Sequence, residues 1–178
     1  MSGQPVYYCE AIESALDFER KGEHFYRESI QKVEDEFAKK ILAFLADEEK
    51  NHIKKIQEIN AALNSDSEEF DYDTHCESGL HNRIKEHLNL MIEKEKSKID
   101  PQSSDIAIYE TAMDMEKAGY EMYEKSYQHS ADTKTRKFFE FMKKEERIHY
   151  DLLASSKKYL EDPSYYFEDY GGWIFGGV

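Results

Sequence analysis

From residue 12 onward, apolar side chains return every three or four positions, the spacing of one face of a helix. Ile12, Ala15, Leu16, Tyr26 and Ile30 make one stripe, and Leu42, Leu45, Ile56 and Ile59 make a second. The pattern recurs late in the chain as Tyr109, Ala112, Met113, Tyr123 and Tyr127, followed by Phe139, Met142 and Leu153. Asp35 and Asp132 precede the second stripe of each pair and read as N-caps, while Ser104, after the Asp100-Pro101 break, reads as the cap of the third helix. Between the pairs, Asn64 to Gly79 is polar and turn-rich, and Leu80 to Lys98 predicts a further amphipathic helix through Leu80, Ile84, Leu88 and Met91. After Asp162-Pro163 the chain turns aromatic and glycine-rich, with Tyr165, Tyr166, Phe167, Tyr170 and Trp173, which reads as a coil laid on the helices.

The two pairs are copies. A shift of 97 residues aligns 13–52 with 110–149 without a gap, and 14 of those 40 positions are identical. Unrelated sequence of ordinary composition gives roughly 6%. Each copy predicts an antiparallel helical hairpin, and a crossover long enough to hold a helix joins them, the connectivity of ferritin-like four-helix bundles. The expected fold is all-α and a single domain: hairpin one over about 6–62, crossover over 63–103, hairpin two over 104–161 and an aromatic tail over 162–178.

Charge narrows the functional classes. Within 178 residues, 24 Lys and Arg stand against 38 Asp and Glu, a formal −14. Such a surface repels phosphate, which argues against nucleic acid, and attracts cations. No apolar run approaches membrane-spanning length. The first 19 residues hold no Lys or Arg and no apolar core follows, so no secretory leader is expected. Cys9 and Cys76 form no C-x-x-C pair, which excludes a thiolate metal ribbon within the chain and leaves a reduced, cytoplasmic setting as the expectation.

The unusual feature is that acids and histidines sit inside the apolar stripes. Glu49 and His52 are three residues apart and share a helix face about 4.5 Å apart along the axis. Glu146 and His149 repeat the arrangement, and no other histidine has a glutamate three positions before it. A lone E-x-x-H carries little information on a charged helix. Spacing between helices carries more: Glu19 to Glu49 and Glu116 to Glu146 are both 30 residues, with midpoints at the turns that Asp35 and Asp132 mark. Each hairpin therefore brings a glutamate level with a Glu/His pair, and two hairpins bring four carboxylates and two imidazoles to one depth.

Four bare carboxylates in a bundle interior would each cost several kcal/mol to desolvate, with mutual repulsion added. Two divalent cations cancel that charge and leave two neutral imidazoles as further ligands, a mixed oxygen and nitrogen set suited to iron or manganese. The expected metal ligands are Glu19, Glu49, His52, Glu116, Glu146 and His149. Tyr26 and Tyr123 lie two turns beyond Glu19 and Glu116 on the same faces, where a hydrogen bond near the cluster is expected. Gly22 and Gly119 each cost about 1 kcal/mol against alanine in a helix interior, which close helix packing explains better than a ligand pocket. Glu13, Asp17, Glu48, Glu110 and Glu145 read as surface acids, and His24, His75, His81, His87 and His129 as solvated or half-buried, with no role for Cys76.

With these residues in hand, the chain resembles the rubrerythrin branch of the ferritin-like superfamily. The matching elements are Glu19 with Phe25-Tyr26, Glu49-Lys50-Asn51-His52, Glu116 with Met122-Tyr123, and Glu146-Arg147-Ile148-His149. The resemblance implies two iron ions (with manganese or a mixed pair as the variant), Glu49 and Glu146 bridging them, Glu19 and Glu116 as terminal ligands, and one histidine per ion. It implies reduction of hydrogen peroxide or O2. Rubrerythrins proper carry a rubredoxin domain with paired C-x-x-C motifs, absent here, so electrons would come from an external donor such as a rubredoxin-like protein. They also carry an extra carboxylate one turn beyond the third-helix glutamate, where this chain has Gly119 and Tyr120.

Other readings of the same residues are iron storage without turnover, which needs a hollow shell, a di-iron hydroxylase acting on greasy substrates, and a metal-stabilised bundle without chemistry. A homodimer is expected, since the long crossover lets hairpins exchange between chains.

Overall fold

The computed structural model describes residues 6–64 and 103–162; the crossover helix expected over Leu80 to Lys98 and the aromatic tail lie outside the described residues. Among the described residues there are four helices: α1 Val6–Ile30, α2 Glu36–Asn64, α3 Ser103–His129 and α4 Thr133–Glu161. No strand occurs among the described residues. Helix α1 packs on α2 and α3 on α4, and the two hairpins meet along α2 with α4 and α1 with α3. The fold is an all-α, ferritin-like four-helix bundle.

Both hairpin turns are set by the expected caps. Asp35 accepts the Ala38 N–H at 2.9 Å, and Asp132 accepts the Thr135 N–H at 2.9 Å, so each carboxylate satisfies one of the amides that a helix start leaves open. Ser104 is not a cap. Helix α3 already begins at Ser103, which places Ser104 inside its first turn. The buried acid of that turn, Asp105, reaches the other hairpin and accepts the N–H groups of Glu34 at 3.3 Å and Asp35 at 3.2 Å. The start of α3 is thereby tied to the α1–α2 turn, a contact across 70 residues of chain.

The core has two apolar parts. One gathers Val33, Phe37, Ile41, Leu42 and Leu45 with Tyr109, Leu153 and Tyr159 at the end holding the α1–α2 turn. The other gathers Ile12, Ala15, Ile56 and Ile59 with Phe138, Phe139 and Met142 at the opposite end. Burying each large side chain contributes roughly 1.5–3 kcal/mol, so both ends are strongly held. Along α1, Glu19 falls between Ala15, which packs in one part, and Tyr26, which packs in the other. Along α2, Glu49 and His52 fall between Ala46 and Ile56 in the same way. The polar residues of the stripes therefore form a layer across mid-bundle, walled by hydrocarbon above and below.

Candidate metal centre

All six expected ligands converge in that layer. Glu19, Glu49, His52, Glu116, Glu146 and His149 are each no more than 2% exposed. His52 Nδ1 lies 3.0 Å from Glu19 Oε2, 3.6 Å from Glu49 Oε2 and 3.7 Å from Glu146 Oε1. His149 Nδ1 lies 3.3 Å from Glu49 Oε1 and 3.4 Å from Glu116 Oε2. The two imidazole rings stack at 5.0 Å between centroids, 15° from parallel. Helical geometry produces this directly: within α2 and α4 the i, i+3 spacing aims glutamate and histidine the same way, and the antiparallel turns bring Glu19 and Glu116 to their level.

Three triads have donor atoms within 4.8 Å of one another: Glu19, His52 and Glu146; Glu116, Glu146 and His149; and Glu49, His52 and His149. Glu146 belongs to two of them, and Glu49 lies beside both histidines. Each is thus placed between two halves of the cluster, one built around Glu19 and His52 and the other around Glu116 and His149.

The tyrosines work crosswise. The Tyr26 hydroxyl donates to Glu116 Oε1 and the Tyr123 hydroxyl donates to Glu19 Oε1, so each tyrosine serves the acid of the opposite hairpin. Both rings are fully buried. The glycines also act differently from expectation. A Cβ on Gly22 would come within 3.3 Å of Glu49 Cδ, and one on Gly119 would overlap Glu146 Oε2. The space they leave is filled by the two shared carboxylates rather than by helix backbone alone.

Two acids expected at the surface are buried. Glu48 is 4% exposed and Glu145 is 0% exposed. Glu145 Oε2 lies 3.6 Å from His52 Nε2, the ring nitrogen that faces away from the cluster, and the Asn51 amide donates to Glu48 Oε1 at 3.2 Å. The reason is that α2 and α4 face each other, so the helix edge next to each ligand glutamate is covered too. The signal was in the repeat, which preserves Glu48 and Glu145 as an identical pair. The other histidines placed by the structure, His24 and His129, lie at the surface as expected.

Electrostatics shows what the layer needs. Burial, then repulsion from Glu49, raises the Glu19 carboxyl to about 8. Burial with the charges of Glu19 and Glu116 raises Glu146 well above the carboxyl range. Burial disfavours the charged imidazoles, but neighbouring carboxylates overcome it: Glu116 and Glu49 hold His149 up at about 10, and Glu19 and Glu145 raise His52. Glu49 goes the other way; hydrogen bonds from Glu19, His149 and His52 outweigh its burial and keep it ionised. Protons on Glu19, Glu146, His52 and His149 thus compensate the carboxylates.

The residues fit a pair of divalent cations on their own geometry. Among the described residues, Glu116 Oε2, both Glu146 carboxylate oxygens and both ring nitrogens of His149 are buried without a hydrogen-bond partner. Orphaned buried polar atoms of this kind cost free energy that coordination removes. This is a buried Glu/His cluster capable of holding metal ions, and its donor set is that of dinuclear carboxylate sites. No curated protein and no solved structure matches the chain. A family model described as Rubrerythrin matches residues 10–157, most of the chain and all four helices, and the protein belongs to the rubrerythrin family.

Proposed function

We propose that this protein holds two iron ions in the mid-bundle layer and reduces hydrogen peroxide, or O2, with electrons from an external donor. The observation that carries the reading is the convergence of four carboxylates and two imidazoles at one buried depth, with Glu146 common to two triads. In that role Glu19, Glu49, His52, Glu116, Glu146 and His149 would hold the pair, Glu19 with His52 on one side and Glu116 with His149 on the other. The metal pair supplies two electrons and a Lewis-acidic binding position for the oxidant.

The chain's own residues set the conditions. The Tyr26 and Tyr123 hydroxyls donate to Oε1 of Glu116 and Glu19, which would leave Oε2 of each acid to hold the cations. Glu145 Oε2 stands 3.6 Å from His52 Nε2, on the side of the ring opposite the inward-facing Nδ1, where its charge favours a proton on Nε2. Reducing H2O2 to two waters consumes two protons as well as two electrons, and the tyrosine hydroxyls stand one hydrogen bond from the carboxylates that would relay them. The apolar walls on either side keep bulk water out, which strengthens every charge interaction in the layer.

The test is anaerobic loading with ferrous iron, followed by peroxide under optical monitoring and by measurement of bound iron. The expected result is about two irons per chain and oxidation much faster than in Glu49→Ala. Equal rates in the two proteins, with iron bound in both, would overturn the catalytic reading.

A further inference from the structure

The centre is pseudo-symmetric in its ligands but not in what covers it. A half-open groove of about 450 Å³ lies between α3 and α4, with Glu116 and Glu146 in its lining. These two are buried, so they form the floor, while Lys117 and Arg147 are exposed and form the rim. Tyr120 and Tyr150 wall it, each one helical turn beyond a floor glutamate. On α3, Glu146 Oε2 occupies the room that the missing side chain of Gly119 leaves. Both floor residues carry oxygens without hydrogen-bond partners among the described residues.

The internal repeat shows that this face is particular to the second hairpin. The 97-residue shift pairs Glu116 with Glu19 and Glu146 with Glu49, so the floor is duplicated. The walls are not: Tyr120 and Tyr150 correspond to Glu23 and Ile53. The rim charges do have counterparts, Arg20 and Lys50, which makes the first hairpin a built-in control.

We propose that the α3–α4 groove is the door to the centre: a small metal-binding anion of two or three heavy atoms comes in past Lys117 and Arg147 and reaches the side held by Glu116, Glu146 and His149. The inference rests on the di-iron reading above. A chain of formal charge −14 repels anions at long range, so a pair of cationic side chains flanking the groove above the floor decides how fast an anion arrives. Glu121 also lines the groove and Asp151 accepts from Arg147 Nε at 3.1 Å, so both acids subtract from that field. A volume of about 450 Å³ exceeds what a few waters occupy, so the groove has room for such an anion above the floor carboxylates.

The probe is azide added to the diferric protein, read as the rate of appearance of the azide-to-iron charge-transfer band at low salt. The double variant Lys117→Glu/Arg147→Glu is compared with Arg20→Glu/Lys50→Glu, which changes total charge identically. The groove pair should slow association about tenfold, an effect that added salt removes, while the control pair should change it less than about twofold. Equal slowing in both pairs, or no slowing in the groove pair, overturns the door while iron content and the wild-type band leave the centre standing. Absence of bound iron in the wild type would sink both together.

Discussion

Alanine at each of the two helix glycines gives an unequal pair of perturbations whose difference can be worked out from their surroundings. In a helix interior, Gly→Ala gains about 1 kcal/mol at either position, because the backbone entropy term is the same. At Gly22 the added Cβ meets Glu49 Cδ at 3.3 Å and Cγ at 3.5 Å, which a shift of a few tenths of an ångström relieves. At Gly119 it would overlap Glu146 Oε2 and come within 2.6 Å of Phe18 Cε1 and 2.9 Å of Cζ, so a carboxylate and a ring must both move. Overpacking of this kind costs about 1–3 kcal/mol. Gly22→Ala should therefore be neutral to about 1 kcal/mol more stable, and Gly119→Ala neutral to about 2 kcal/mol less stable, in urea unfolding of the metal-free protein. The functional consequence is larger. Glu146 is common to two of the three triads, so displacing its carboxylate disturbs both ions at once. Titration calorimetry with Mn2+, which avoids oxidation, should show binding weakened by about 10–100-fold in Gly119→Ala and by far less in Gly22→Ala. If Gly119→Ala gains the same stability as Gly22→Ala and still binds both ions like the wild type, the account of these glycines as room for the shared carboxylates is wrong.

Three further outcomes rest on the same layer and its supports. At neutral pH the metal-free cluster keeps protons on Glu19, Glu146, His52 and His149, so two divalent ions should displace about four protons, read with a pH indicator in weak buffer, and binding should tighten as pH rises; release of one proton or none refutes the assignment. The sign for stability is opposite: Glu19 titrates near 8 in the fold against an ordinary 4.5, and His149 near 10 against 6.5, so the native state binds more protons across these windows and the metal-free protein should lose thermal stability as pH climbs through them. Asp105→Ala strips the acceptor from two backbone N–H groups in the α1–α2 turn and should cost about 2–4 kcal/mol in urea unfolding, against about 1 kcal/mol for Asp132→Ala, an isolated cap; similar losses in both would refute the inter-hairpin tie.

The helices and the six converging residues were legible because each leaves a periodic trace. Stripes at 3.6 spacing fix the faces, Asp35 and Asp132 fix the turns, and equal 30-residue intervals fix the level. What escaped has no period. Glu48 and Glu145 sit about 100° round the helix from the ligand glutamates, and only the closeness of α2 to α4 decides that this flank is covered. Asp105 acts on a loop in the other hairpin, and nothing in its neighbourhood along the chain announces that. Tyr26 and Tyr123 were placed near the cluster by counting turns on their own helices, but counting along one helix cannot tell that the hydroxyl crosses to the acid of the opposite copy.

That crossing bears on why two copies are needed. A single hairpin carries two carboxylates and one imidazole, enough charge for one divalent ion. The donor set of the first hairpin nevertheless closes only with help: the triad of Glu19 and His52 takes Glu146 from the second hairpin, and the triad of Glu49 and His52 takes His149. The tyrosines obey the same rule, Tyr26 steadying Glu116 and Tyr123 steadying Glu19. Every triad but the one of Glu116, Glu146 and His149 draws on both copies, so filling the centre pulls the hairpins together across α2 with α4 and α1 with α3. The binding free energy of the metals is in this sense a folding term for the interface between hairpins. The first hairpin alone would have to borrow the missing groups from a second copy, which the chain supplies by duplication.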